Sequence, residues 1–225
     1  SLTMMNKIAE KSIKTDSFYF PNWVSSEKIN PETSSQHSLL NPNKFTLLYS
    51  GNIGEKQDWD FLENLCSIIN PNDNIEVVIV GDGAYKNTLK NKLKSFQFVH
   101  YFDPVPYLEL NDLLCSAGVH FLFQKIEVVD TIMPSKILGM MASKKPSIVS
   151  GSKNSEVLTI INKSGGGFYF SENDVREVYK TILKLKNNSS LCEDIGQKAR
   201  NYVLKNFSEK QILEGFNSKI KSVLS

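Results

Sequence analysis

The chain has little of what usually carries metal, redox or disulfide chemistry. Its 225 residues include 3 cysteines and 3 histidines. Cys66, Cys115 and Cys192 lie far apart and form no CxxC pair, which excludes a disulfide framework or a zinc knuckle. Cys66 and Cys115 fall within apolar helical patterns, so buried free thiols and a reducing compartment are expected. His37, His100 and His120 show no metal-ligand spacing, and no metal is expected. His120 sits inside the strand-like run Ala117-Gly118-Val119-His120-Phe121-Leu122-Phe123, where a packed structural histidine is the simpler reading. An excess of one charge is missing too. With 26 basic against 24 acidic residues the net charge is +2, too small for a nucleic-acid footprint. No stretch approaches the roughly 18 apolar residues of a membrane span, and no signal-peptide pattern is seen.

What is present is an ordinary globular composition, 40% hydrophobic and 22% charged, enough for one large domain or two small ones. Residues 3–15 carry Met4, Met5, Ile8 and Ile13 at roughly helical spacing, and the opening residues read like the tail of something longer. Phe18-Tyr19-Phe20 is extended and stopped by Pro21-Asn22-Trp23. Residues 25–44 are rich in Ser, Asn and Pro and read as a connecting segment. From there the pattern is regular. Strands are expected at Phe45–Ser50, Ile75–Val80, Phe96–Phe102, Val119–Phe123, Ser147–Val149 and Gly167–Phe170. Helices are expected at Asp58–Ile69, Tyr85–Leu93, Tyr107–Ser116, Pro134–Ser143 and Ser155–Lys163, with helical patterns filling most of 173–224. The alternation predicts an α/β fold with a parallel sheet covered on both faces, and the continuous apolar strands agree.

Two lysines stand where helix physics disfavours them. Lys56 follows the strand and turn Tyr49-Ser50-Gly51-Asn52-Ile53-Gly54. Lys136 follows Pro134-Ser135 and opens the apolar run from Ile137 to Ala142. A helix N-terminus carries partial positive charge, so a cation there makes sense if an anion shares the place. Free backbone N–H groups and a lysine together form a phosphate cradle. The bland alternative is a tight turn or a helix start with a solvated lysine. The Gly51–Lys56 turn is neither GxGxxG nor a P-loop. Gly81-Asp82-Gly83-Ala84-Tyr85-Lys86 mimics half of a dinucleotide fingerprint, and its bland reading is a turn in which Asp82 caps the next helix. Both cradles and this turn lie at carboxyl ends of strands, where parallel sheets bind ligands. Polar residues from Gln124 to Asp130 form a loop suited to sugar recognition. Phe102-Asp103-Pro104-Val105-Pro106-Tyr107 is a stiff segment that can face a flat base. Gly165-Gly166-Gly167 reads as a loop of unusual backbone angles.

The runs Phe20-Pro21-Asn22-Trp23-Val24, Tyr49 to Gln57, Val80 to Gly83 and Pro134 to Ser143 resemble group 1 glycosyltransferases, glycosyltransferase family 4. They are most similar to the bacterial colanic-acid, O-antigen and capsule branch that includes N-acetyl-fucosaminyl transferases. The resemblance covers about residues 3–224. It implies a GT-B architecture of two Rossmann-like domains, of which this chain is the C-terminal, donor-binding one. Residues 1–24 are then the end of the N-terminal domain and the linker, 25–44 a connection, 45–207 the donor domain, and 208–225 a helix returning towards the missing half.

The resemblance further implies a sugar transfer from a nucleotide-diphosphate sugar, UDP-linked, to a lipid-linked or polysaccharide acceptor, with retention and without a cofactor. Gly51, Asn52, Gly54 and Lys56 are expected at the pyrophosphate, with Gly81, Asp82 and Gly83 beside them and Val105 reading the base through its backbone. Many relatives carry arginine where Asn52 stands, and Lys136 with Pro134 and Ser135 is expected to compensate. The family's two glutamates match Thr131 and Gly139, neither acidic, and Asp130 is one residue out of register. Lys56 and Lys136 are the expected pair stabilising the leaving group. The acceptor site and catalytic histidine belong to the absent half. The implied location is cytoplasmic, with any peripheral contact at the inner membrane face made by the full-length protein. Two other readings stay open: a non-catalytic nucleotide- or sugar-binding module, and an NAD-dependent enzyme with a degenerate fingerprint at Gly81, for which Asp103 is the acid candidate.

Overall fold

The computed structural model describes residues 5, 8–11, 18–128, 135–171 and 174–224. Strands β1 (Phe45–Ser50), β2 (Ile75–Val80), β3 (Val99–Phe102), β4 (Val119–Phe123), β5 (Ser147–Ser150) and β6 (Gly167–Phe170) form one sheet. All pairings are parallel, in the order β3-β2-β1-β4-β5-β6. The chain therefore winds one way through β1, β2 and β3, then crosses to β4 and winds the other way. Right-handed crossovers put the two sets of connecting helices on opposite faces. The fold is α/β and Rossmann-like, and the reversal falls between β1 and β4.

The described helices are α1 (Trp59–Ile68), α2 (Lys86–Leu93), α3 (Leu110–Cys115), α4 (Lys136–Ala142), α5 (Glu156–Ser164), α6 (Val175–Lys186), α7 (Ser189–Phe207) and α8 (Glu209–Leu224). Phe61, Leu62, Leu65 and Cys66 repeat at helical spacing and bury one face of α1. All of β2 is buried, as a doubly covered strand requires. Helix α1 packs on α2 and α6, whereas α4 and α5 pack on α7.

Several boundaries differ from the sequence reading. Strand β3 starts at Val99, because Phe96 and Val99 are tied into turns by hydrogen bonds to Leu93 O and Phe96 O. The helix expected at Tyr107 opens as a 3-10 turn, Tyr107–Glu109, before α3. The long C-terminal stretch is cut at Asn188, which caps α7, and at extended Ser208. The helix expected over 3–15 falls largely outside the described residues. Cys66 and Cys115 are buried free thiols, and burial pushes Cys66 up to about 12. His120 is fully buried, hydrogen-bonded to Ser143 Oγ at 2.9 Å, and burial holds its pKa down to about 3.

The connecting segment is pinned by buried polar groups. Glu76 Oε1 accepts from Asn41 N at 3.0 Å and Thr46 Oγ1 at 2.6 Å, with Glu76 and Thr46 both buried. Arg200 on α7 donates to Ile29 O in this segment and to Ala142 O at the end of α4. Val24 pairs with the α7–α8 junction through Phe207 O and Glu209 N. Beside that junction Phe20 stacks on Trp23 and on Phe216 of α8, which has no buried residue. Replacing Glu76 by alanine strands two donors in the interior. Glu76→Ala is expected to lower unfolding free energy by about 2–3 kcal/mol in urea titrations. A loss below about 0.5 kcal/mol, the scale of an ordinary surface change, would show that the segment is not held this way.

Candidate functional site

The site begins where two strands part. β1 follows β2 for six pairs, up to Ser50↔Val80, but its pairing with β4 is confined to Leu47↔Val119 and Leu48↔His120. Beyond Leu48 a crevice opens at the carboxyl ends of the strands. The turns after β1 and β2 meet there. Gly51 N bonds to Val80 O at 2.9 Å, Ile53 N to Asp82 O at 2.8 Å, and Tyr85 N to Ile53 O at 3.1 Å. A Cβ on Gly81 would lie 1.9 Å from Gly51 O, and one on Gly83 2.3 Å from Ile53 O. With φ of +154° and +155°, both positions also hold backbone that favours glycine. These two glycines are accounted for by loop-on-loop packing. The amide of Asn52 has no backbone or side-chain acceptor among the described residues. Gly54 is locked by Gln57 Oε1, which accepts from its N–H at 3.0 Å, and by Trp59 Nε1, which donates to its carbonyl at 2.8 Å.

Lys136, the first residue of α4, reaches across the crevice into this turn. Its Nζ donates to Tyr49 Oη at 2.6 Å and lies 4.2 Å from the Tyr49 ring centroid. A Cβ on Gly51 would stand 3.1 Å from the same nitrogen. Tyr49 in turn donates to Asn52 O at 2.6 Å. Burial alone lowers the Lys136 pKa, to about 8, and no carboxylate contributes to the shift. An ammonium brought out of water without a counter-charge is costly. A phenol oxygen and an aromatic face repay part of that cost, and an anion would repay more.

Two cavities open on this point and share Ser50, Gly51 and Leu110. The larger, about 500 Å³, runs from Gly51, Ser135, Lys136 and Gly139 to Trp23, Lys28 and Tyr107. The smaller, about 320 Å³, is lined by Asn52, Gly81, Asp82, Pro104 and Val105. Among the described residues nothing pairs with the backbone of Val105, so its N–H and carbonyl remain available. The structure thus brings together Gly51, Asn52, Gly81, Asp82, Val105, Ser135 and Lys136. Asp130, Thr131 and Pro134 lie outside the described residues.

Two expectations need correction. Lys56 does not open a helix. α1 starts at Trp59 with Asp58 as its N-cap, accepting from Phe61 N at 2.9 Å, so Lys56 stands before the cap and the helix-dipole argument does not apply to it. Lys56 is exposed and lines neither cavity; its carbonyl is joined to Lys125 N. Nor does Asp82 cap α2. The cap residue is Tyr85, without a side-chain bond, and Asp82 turns back to Gly83 N at 2.9 Å and Lys86 Nζ at 3.4 Å. Gly165-Gly166-Gly167 is, as expected, a loop of unusual backbone angle before a strand: Gly165 ends α5 at φ +62°, β6 begins at Gly167, and none of the three lines either cavity. Asp103, the acid an NAD reading needs, is instead 2.5 Å from Lys86 Nζ, which holds its carboxyl below the usual range. Sequence reasoning missed Tyr49. The signal was weak: a tyrosine next to the last residue of the strand Phe45–Ser50.

The buried ammonium has a measurable consequence. The folded pKa of Lys136 is about 8 against the ordinary 10.5, so between those values the unfolded chain binds more protons and stability rises with pH. Below about 8 the full penalty is present. Lys136→Met is expected to be the more stable protein near neutral pH, by about 2 kcal/mol after allowance for partial solvent access. The advantage is expected to fade as pH rises towards 10.5. Thermal unfolding of both proteins across this range checks it, and a pH-independent difference would refute it.

Comparison with known proteins identifies the family. Residues 30–202 match the family model described as glycosyl transferases group 1. WcaI of Escherichia coli (strain K12), whose name places it in colanic acid biosynthesis as a glycosyl transferase, is 28% identical over 168 residues, 70% of this chain and 40% of its own length. WbjE of Pseudomonas aeruginosa, named as a glycosyltransferase, is 25% identical over 219 residues, 92% of this chain and 52% of its own length. The chain thus spans about half the length of these curated relatives. The crystal structure of HepE from Anabaena in complex with UDP and glucose superposes with a TM-score of 0.71 at 14% identity, covering 89% of this chain and 55% of that one. The chain belongs to the group 1 glycosyl transferases.

Proposed function

We propose that this chain is the donor-binding half of a glycosyltransferase that takes a sugar from a UDP-sugar and passes it to a lipid-linked or polysaccharide acceptor in surface polysaccharide biosynthesis, with retention. The observation that carries the reading is the Lys136 ammonium held over the bare backbone of Gly51 with no carboxylate partner among the described residues. A diphosphate is the ligand chemistry that fits. It supplies the missing negative charge, and it can take the free amide of Asn52 as well. The base then lies in the smaller cavity against Pro104 and Val105, where unpaired backbone groups can read its edge. The sugar extends into the larger one. Support for uracil and for the pathway comes from the UDP named in the HepE complex and from the name of WcaI. Residues 45–207 form the donor domain in this reading, and residues 1–24 and 208–225 join it to the other half, which carries the acceptor site. The paired aromatics Phe20, Trp23 and Phe216 suit such a junction.

In the transfer step the bond between the anomeric carbon and the diphosphate oxygen breaks, and negative charge grows on the leaving group. A preformed cation at that oxygen stabilises it without waiting for solvent to reorganise. Lys136 has this role; Lys56 follows the same turn but is exposed and lines neither cavity, so its part as a second cation rests on the titration below. No metal is invoked, because side chains supply the charge.

Calorimetric titration tests the assignment. The chain is expected to bind UDP, and Lys136→Ala is expected to weaken it by about 10–100-fold while leaving uridine, which lacks phosphate, unaffected. Lys56→Ala is expected to cause a smaller loss. Absence of heat with both UDP and GDP would remove the donor site; tighter binding of GDP would remove only the uracil assignment.

A further inference from the structure

Tyr49 is the first residue of β1 past its last pairing with β4, and its side chain is buried beneath the turn that follows the strand. The ring is 1% exposed. Trp59 meets it edge-on with centroids 5.1 Å apart, and Phe121 lies against it at 5.6 Å. Held on these sides, the ring has little freedom, and its hydroxyl meets Asn52 O and the ammonium of Lys136, which lines the larger cavity. A phenol has one proton to give. That proton goes to Asn52 O, so the oxygen is left as an acceptor for Lys136. Burial raises the phenol's pKa well above its ordinary value, which keeps the O–H in place. The ammonium has three donors, and Tyr49 takes one. Two remain for other acceptors.

We propose that Tyr49 is a positioning residue for the donor diphosphate: its hydroxyl and ring fix the Lys136 ammonium over Gly51 and so supply the cation that Asn52 does not. The role rests on the donor-site reading given above. A lysine stem is flexible, and ordering it at the moment of binding opposes the contact. Tyr49 has ordered it beforehand, at the turn where the backbone carries no Cβ to obstruct a phosphate. The remaining groups around the ammonium do not replace it. From the connecting segment, the 3-10 turn and α8, Lys28, Tyr107 and Glu209 line the same cavity, and none contributes to the lysine's shift. The residues of α3 that face it, Leu110 and Leu114, are apolar.

Tyr49→Phe separates the hydroxyl from the ring. The variant keeps the aromatic packing and loses both hydrogen bonds. Two measurements on the 225-residue chain decide the matter: carbon NMR titration of the Lys136 ε-methylene without ligand, and calorimetry with UDP and with uridine. Loss of the acceptor is expected to lower the lysine's titration midpoint, to weaken UDP by about tenfold, and to leave uridine binding unchanged. UDP affinity in the variant is also expected to fall off at lower pH than in the wild type. An unchanged midpoint together with unchanged UDP affinity overturns the role of Tyr49 alone. Equal loss of UDP and uridine points to a collapsed cleft and overturns it as well. A wild-type chain that binds no UDP overturns the donor reading, and this role with it.

Discussion

A cation withdrawn from water, with no counter-ion among the described residues, stands at the open edge of this sheet. Lys136 is tolerated there because a phenol oxygen and an aromatic face stand in for an anion. They stand where β1 and β4 stop pairing, just past Leu48 and His120. The turns around this point are packed so tightly that two positions admit no side chain beyond hydrogen. Strand divergence, loop packing and an uncompensated charge are one arrangement seen at three scales.

The room around two positions of the site was not visible in the sequence. The Asn52 side chain lies close over Gly54 and Gly83. Gly139 lines the larger cavity, and a Cβ there would meet only Leu114 at 3.4 Å. Space for a longer side chain exists but is not used.

Much of the architecture could be read from the chain. β1, β2 and β4 are bounded as their apolar runs suggest, because buried parallel strands have little polar face to blur the signal, and the half-buried edge strand β6 also keeps its expected bounds. Less legible were places where hydrogen bonds override propensity. Phe96 and Phe98 have strand character but lie in turns, and Asp82 sits where a cap is expected but prefers Gly83 and Lys86. In the site, the Gly51 turn and Lys136 were visible as residues out of keeping with their local context. Their convergence was not, since residues 49 and 136 meet only through the crossover that places β4 beside β1. Lys56 misled because helix periodicity cannot fix a first turn to within two residues; the N-cap Asp58 decides it.

The guanidinium of Arg200 adds one more connection. It grips the last carbonyl of a two-turn rod whose first residue is Lys136, and with the same nitrogen it grips the loop at Ile29. One side chain of the long α7 thus ties down the far end of the short helix and the connecting segment together, while five of that helix's seven residues are sunk in the core and its first residue, Lys136, faces the cleft.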